Sequence, residues 1–277
     1  MNFHSDEWIM ERVKQHYDEL LKIYPYPENI LGIFYQGAAN YGLDTEKSDV
    51  DTKAIILPRF DDIAFLRSPK STTHVMENNE HIDIKDIRVM FDCFKKQNVN
   101  YVETIFTRYR IINPMYSDLW EKIMDNGEKI AHFCDYKAIK CMKGMAFEKF
   151  HALEKPYPAQ VDAIEKYGYA PKQLHHIIRL DYFMRDYIDG KIYEYCLNCG
   201  WDERKTTWLK AIKLGAINKE KAQELANSAI EHLTSMADDY CANNEPVVSE
   251  EALKILNSIQ SDCIKRALKL ELEKEDK

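Results

Sequence analysis

The hydrophobic pattern of this chain changes character at Asp86, and that change limits the folds open to it. Before Asp86 the apolar residues come in short runs. Residues 29–35 (NILGIFY) end at Gly37, and residues 50–57 (VDTKAIIL) end at Pro58. Residues 72–76 and 81–84 flank the polar turn ENNE. Such runs predict short strands. One helix precedes them, over 6–23, with Trp8, Ile9, Val13, Tyr17, Leu20 and Leu21 near helical spacing. From Asp86 onward the period is helical: 86–97, 99–106, 115–127, 135–154, 171–189, 202–214, 219–242 and 249–273. Asp86 and Ser249 are suited to cap two of these helices. Nine glycines and nine prolines in 277 residues are about half the roughly 12% of an average chain. Long helices fit that scarcity, and an all-β sandwich or barrel does not. The expected class is therefore α+β: a small mixed β-sheet module followed by a larger α-helical domain. We place the division at 1–112 and 113–277, with 271–277 (ELEKEDK) as a solvated helix end.

Composition narrows the function classes. The net charge of −8 excludes a protein coated in basic charge, although a local basic patch can still steer an anion. No stretch reaches 18 consecutive apolar residues, so no membrane span is expected. The first residues, MNFHSDEWIMERVKQ, carry acids early and lack an apolar signal core. Seven scattered cysteines, an odd number, fit a reducing cytoplasm. The single CxxC, Cys196–Cys199, has no second pair at zinc spacing and reads as structural.

The most informative segment is Gly37-Ala-Ala-Asn-Tyr-Gly-Leu43, followed by Ser48-Asp-Val-Asp51. A strand runs into a glycine-containing turn, and two aspartates then open the next strand. Period-two geometry places Asp49 and Asp51 on one face. Like charges so placed repel unless a cation joins them. An isolated DxD usually caps a strand and faces solvent. Here the next strand, His81-Ile-Asp-Ile-Lys-Asp86, supplies Asp83 opposite its buried Ile82/Ile84 face. Hard oxygen ligands of this kind suit magnesium. Two such ions can stabilise the attacking and leaving oxygens of an in-line displacement at phosphorus.

Gly37-Ala38, then Asp49-x-Asp51, with Asp83 on a later strand, resemble the minimal nucleotidyltransferase module of the DNA polymerase beta superfamily. The wider phrase GAANYGLDTEKSDVDTKAI is similar to one branch, the bacterial and phage nucleotidyltransferases associated with RNA repair, with Gly37, Gly42, Leu43, Ser48, Asp49, Asp51 and Lys53 matching. Asn98, Glu103, Phe106 and Gly144-x-Ala146 also match, as does Lys172–His176–Arg179–Leu180 after a Gly-Tyr. The resemblance spans roughly residues 30–190. Ala38 stands where the branch has serine. A lost hydrogen bond to a charged group costs on the order of 1.5–3 kcal/mol, though the backbone N–H groups of the turn can still form an anion nest.

The resemblance implies an enzyme, a transferase moving NMP from an NTP such as ATP to an acceptor hydroxyl, with pyrophosphate released. Asp49, Asp51 and Asp83 are the expected metal ligands and catalytic acids, with Asp83 as general base. Two Mg2+ ions are expected, with Mn2+ as a substitute. Gly37, Ala38, Tyr41, Gly42 and Lys53 are the expected nucleotide-binding residues of the sheet module. Positions i, i+4 and i+7 share a helix face, so Lys172, His176 and Arg179 present three potential cations to a triphosphate. His175 reads as packing. An RNA end, tRNA-like, is the acceptor the resemblance favours. Two alternatives stand beside it: a protein-NMPylating enzyme, and a nucleotide-binding regulatory protein that has lost turnover. Oligomeric state and the role of 191–277 are not readable.

Overall fold

The computed structural model describes residues 2–275. The fold is α+β, with one five-stranded mixed sheet and thirteen α-helices among the described residues. It forms two compact units. The sheet unit holds Phe3–Asn40, Glu46–Cys134 and the chain from Val248 onward. The helical unit holds Tyr41–Thr45 and Asp135–Val247, together with Asn2. The units do not divide at 112/113. Residues 113–134 and the C-terminal helix stay with the sheet, and a five-residue piece of the turn after Gly37 goes to the helices.

The sheet unit begins with α1 (Asp6–Ile23), capped by the Ser5 hydroxyl accepting the Trp8 N–H at 3.2 Å. Then come β1 (Ile30–Gln36), β2 (Asp51–Ile56), α2 (Phe60–Ala64), β3 (Ser71–Val75) and β4 (His81–Asp86). After them follow α3 (Ile87–Lys95), α4 (Val99–Val102), β5 (Arg110–Ile112), α5 (Ser117–Asp125) and α6 (Gly127–Ala131). The strand order is β3-β4-β2-β1-β5. The β2–β4 pair is parallel, and the other neighbours are antiparallel. One sheet face packs under α1: Ile33, Tyr35, Ala54, Ile56, Ile82 and Ile84 form a core with Ile9, Val13 and Leu20.

The helical unit contains α7 (Asp135–Ala152), α8 (Val161–Tyr167), α9 (Pro171–Ile188), α10 (Tyr193–Leu197), α11 (Glu203–Lys213) and α12 (Lys219–Asn243). The chain ends with α13 (Glu250–Glu275), where the Ser249 hydroxyl accepts the Ala252 N–H at 3.2 Å. The expected solvated end at 271–277 runs past the described residues at 276–277.

The expected strands and long helices are present to within a few residues. Five elements were not anticipated: α2, β5, α6, α8 and α10. Each is three to seven residues long, too short for a period to register. No described helix is long and apolar enough to cross a membrane.

Candidate active site

The sheet face opposite the α1 core carries the acids of β2 and β4. In the parallel β2–β4 pair Lys53 lies opposite Asp83, and Ile55 opposite Lys85. Alternate residues of a strand share a face. Asp51 and Lys53 therefore project from the same side as His81, Asp83 and Lys85. The even-numbered residues, Thr52, Ala54, Ile82 and Ile84, face the core.

Asp51 and Asp83 are both half-buried. Asp51 Oδ1 accepts the His81 backbone N–H at 2.9 Å, and the His81 ring Nδ1 lies 3.1 Å from the same oxygen. Asp83 Oδ1 is 2.8 Å from Lys85 Nζ, and it accepts the Thr73 hydroxyl at 3.4 Å. Lys53 is 2% exposed, with its Nζ 4.9 Å from the Tyr101 ring centroid. Burial pushes its pKa down, against the pull of Glu103, Asp83 and Asp51. The Tyr101 hydroxyl is pushed up to about 12, by burial first and by Asp83 second. The face is thus a group of acids interleaved with two ammonium groups.

Asp49 departs from expectation. β2 begins at Asp51, so Asp49 sits in irregular backbone and the period-two argument does not reach it. It is exposed. Among the described residues, no three His, Cys, Asp or Glu side chains are arranged to hold a metal ion. The donor chemistry of Asp49, Asp51 and Asp83 suits magnesium. As they stand, His81 engages Asp51, and Lys85 occupies Asp83 where a cation would bind.

The turn after β1 is closely built. A Cβ on Gly37 would come 2.5 Å from the Tyr35 hydroxyl oxygen, so no other residue fits without a shift. The Ala39 N–H donates to that hydroxyl at 3.1 Å, and the Asn40 N–H donates to the Gly37 carbonyl at 3.2 Å. The Asn40 side-chain carbonyl accepts the Thr107 hydroxyl at 2.7 Å. Two amides expected to cradle phosphate are therefore already engaged.

Within the helical unit, Gly42 has φ 71°, and a Cβ there would meet Gly200 Cα at 3.2 Å. Tyr41, beside it, is buried with the Arg179 guanidinium 3.9 Å over its ring centroid. Tyr41 thus packs on Arg179. The three α9 positions differ in state. Lys172 is exposed, His176 half-buried and Arg179 4% exposed. Burial, followed by the nearby His175, Arg179 and Lys172, holds the His176 pKa well below its ordinary value. Of the three potential cations, His176 is thus the one whose charged form burial disfavours. His175 packs as expected, its Nδ1 3.0 Å from the Leu209 carbonyl oxygen. Cys196 and Cys199 are buried, in keeping with a structural role.

Sequence reasoning missed the companions of the acids. Lys85 and His81 were readable, because both share strand parity with Asp83. Glu80 was not. Its carboxylate gathers Arg12, His16, Asn78 and the Val50 N–H from distant positions. Burial works to raise its pKa, but those hydrogen bonds outweigh it and hold the group at about 2.

No protein-family model matches this chain, and no curated protein matches it. Among solved structures, it is similar to a nucleotidyltransferase-like protein from Exiguobacterium sibiricum 255-15. That match covers 92% of this chain and 90% of the other, at 13% identity and a TM-score of 0.32. The likeness assigns no family to the chain and no role to any residue.

Proposed function

We propose that this chain is a nucleotidyltransferase that moves NMP from an NTP to an acceptor hydroxyl. The observation that carries the reading is the placement of Asp51 and Asp83 on one face of adjacent parallel strands, away from the α1 core. Core packing does not call for two carboxylates there, whereas phosphoryl chemistry uses them to organise charge and to take up a proton.

Asp49, Asp51 and Asp83 are the residues that would hold magnesium, which when bound neutralises charge on the transferring phosphate. Asp83 is the residue to accept the proton of the attacking hydroxyl. Lys53, buried at the same face, balances the acids from within. In the helical unit, Lys172 is the exposed α9 cation available to a phosphate. Most of the rate would come from holding the reactants in line. The acceptor favoured by the sequence resemblance is an RNA end, with a protein hydroxyl as the alternative.

Two observations favour a second reading, a nucleotide-binding protein without turnover. Ala38 supplies no hydroxyl, and Lys85 already engages Asp83. One experiment separates the readings. NTP labelled at the α-phosphate is incubated with the protein and Mg2+, once with total RNA and once with cell lysate. Label transfer that disappears in Asp51→Asn and Asp83→Asn supports the transferase, and its destination names the acceptor. Saturable NTP binding without label transfer supports the second reading. No Mg2+-dependent thermal stabilisation by any NTP overturns both, since a ligand at 100 times its Kd adds about 2.7 kcal/mol.

A further inference from the structure

The parallel ladder between β2 and β4 starts at Thr52 opposite Ile82. Two residues earlier, Val50 would stand opposite Glu80. No strand is present there, and a side chain takes its place. Glu80 Oε1 accepts the Val50 N–H at 3.1 Å. Val50 lies between Asp49 and Asp51, so this one bond fixes the backbone from which both carboxylates project.

The other end of the Glu80 side chain is anchored independently. Its Oε2 accepts the His16 Nε2–H at 2.9 Å, the Asn78 amide at 2.8 Å and the Arg12 guanidinium. Its own N–H donates to the Asn78 side-chain carbonyl at 3.1 Å. His16 Nδ1 lies 2.9 Å from Thr52 Oγ1, on the first ladder residue. His16 is fully buried, and the Glu80 side chain is 9% exposed. Both belong to the α1 side of the sheet. Asp51 and Asp83 lie on the other. Glu80 therefore cannot touch a substrate on the acidic face, and it reaches that face only through the Val50 peptide. Its neighbour His81 donates its N–H to Asp51 on the acidic side. Consecutive residues thus grip consecutive residues from opposite faces.

We propose that Glu80 is a positioning residue, which sets the Asp49–Asp51 segment for the chemistry of the acidic face through its hydrogen bond to the Val50 N–H. The inference rests on the nucleotidyltransferase reading for its catalytic consequence, and on geometry alone for the anchor.

Two variants separate positioning from simple charge pairing. Glu80→Gln keeps an acceptor at full reach but removes the charge facing Arg12 and His16. Glu80→Asp keeps the charge but falls one methylene short of Val50. Hydrogen exchange at the Val50 amide, in the full chain, is the readout that needs no activity. Exchange should be at least tenfold faster in Glu80→Asp and within threefold of wild type in Glu80→Gln, with Ala54 and Ile56 unchanged in both. In the label-transfer assay Glu80→Asp should lose at least tenfold in kcat with KM for NTP within threefold. Glu80→Gln should keep kcat while melting at a lower temperature. Unchanged Val50 exchange in Glu80→Asp overturns the proposal, as does kcat in both variants following only the folded fraction. A wild type without turnover but with the expected exchange pattern defeats the nucleotidyltransferase reading and leaves the anchor standing.

Discussion

An imidazole packed among cations behaves differently from one in water, and α9 carries two, His175 buried and His176 half-buried. Burial is the main cause that pulls His175 down to about 3, with the bond to the Leu209 carbonyl working against it. His176 is also well below its ordinary value. The unfolded chain takes up a proton at each site near pH 6.5, while the folded chain does so only at much lower pH. The depressed pKa thus contributes stability that is complete above about pH 6.5. For His175 it is lost as pH falls toward about 3, at about 1.4 kcal/mol per pH unit, and His176 acts in the same direction. We expect His175→Gln, which keeps a donor for Leu209 but cannot titrate, to flatten this decline over the same window. Urea unfolding at pH 7, 6, 5 and 4 measures it, and parallel slopes for variant and wild type would refute it. Helical spacing placed Lys172, His176 and Arg179 on one face. It could not give their protonation states, because those follow from burial by residues far along the chain.

At the scale of elements, the β2–β4 pair decides what the acids can do. Parity was legible: the Ile82/Ile84 alternation put Asp83 on the outer face, and the structure has it there. Strand register was not, because it depends on which strand lies beside which. Nor was the start of β2, two residues too late to include Asp49 in the strand. The same parity places Lys85 next to Asp83 with side-chain exposures of 12% and 22%. A cation approaching Asp83 competes with that ammonium. Removing it should therefore tighten metal binding. For an interaction of one or two kcal/mol the gain is roughly 5- to 30-fold. We expect Lys85→Met to bind Mn2+ more tightly by about that factor, measured by calorimetry without nucleotide. Unchanged or weaker affinity would place the metal away from Asp83.

For the whole molecule, chain order and compact unit part company. Composition and period foresaw a sheet module followed by helices, but α13 returns to the sheet unit after the helical unit is complete. Its buried stripe, Ala252, Leu256, Ile259, Cys263 and Ala267, is regular enough to mark a packed helix without naming its partner. Polar contacts pin it within the sheet unit. Glu271 accepts the Phe60 N–H at 2.9 Å and pairs with Arg59 at 3.1 Å. Lys274 meets Glu28 at 2.9 Å, and Arg266 grips both oxygens of Asp118 at 2.6 and 3.0 Å. Emptying one large buried aliphatic position costs about 2–5 kcal/mol, against a typical domain stability of 5–15 kcal/mol. A chain ending at Val247 should therefore lose the sheet unit and keep the helical one. In proteolysis of that chain, 135–247 with 41–45 should resist cleavage while the rest of 3–134 is digested. If 3–134 persists, α13 is dispensable to the sheet. If both segments are digested, the helical unit depends on the sheet for its stability.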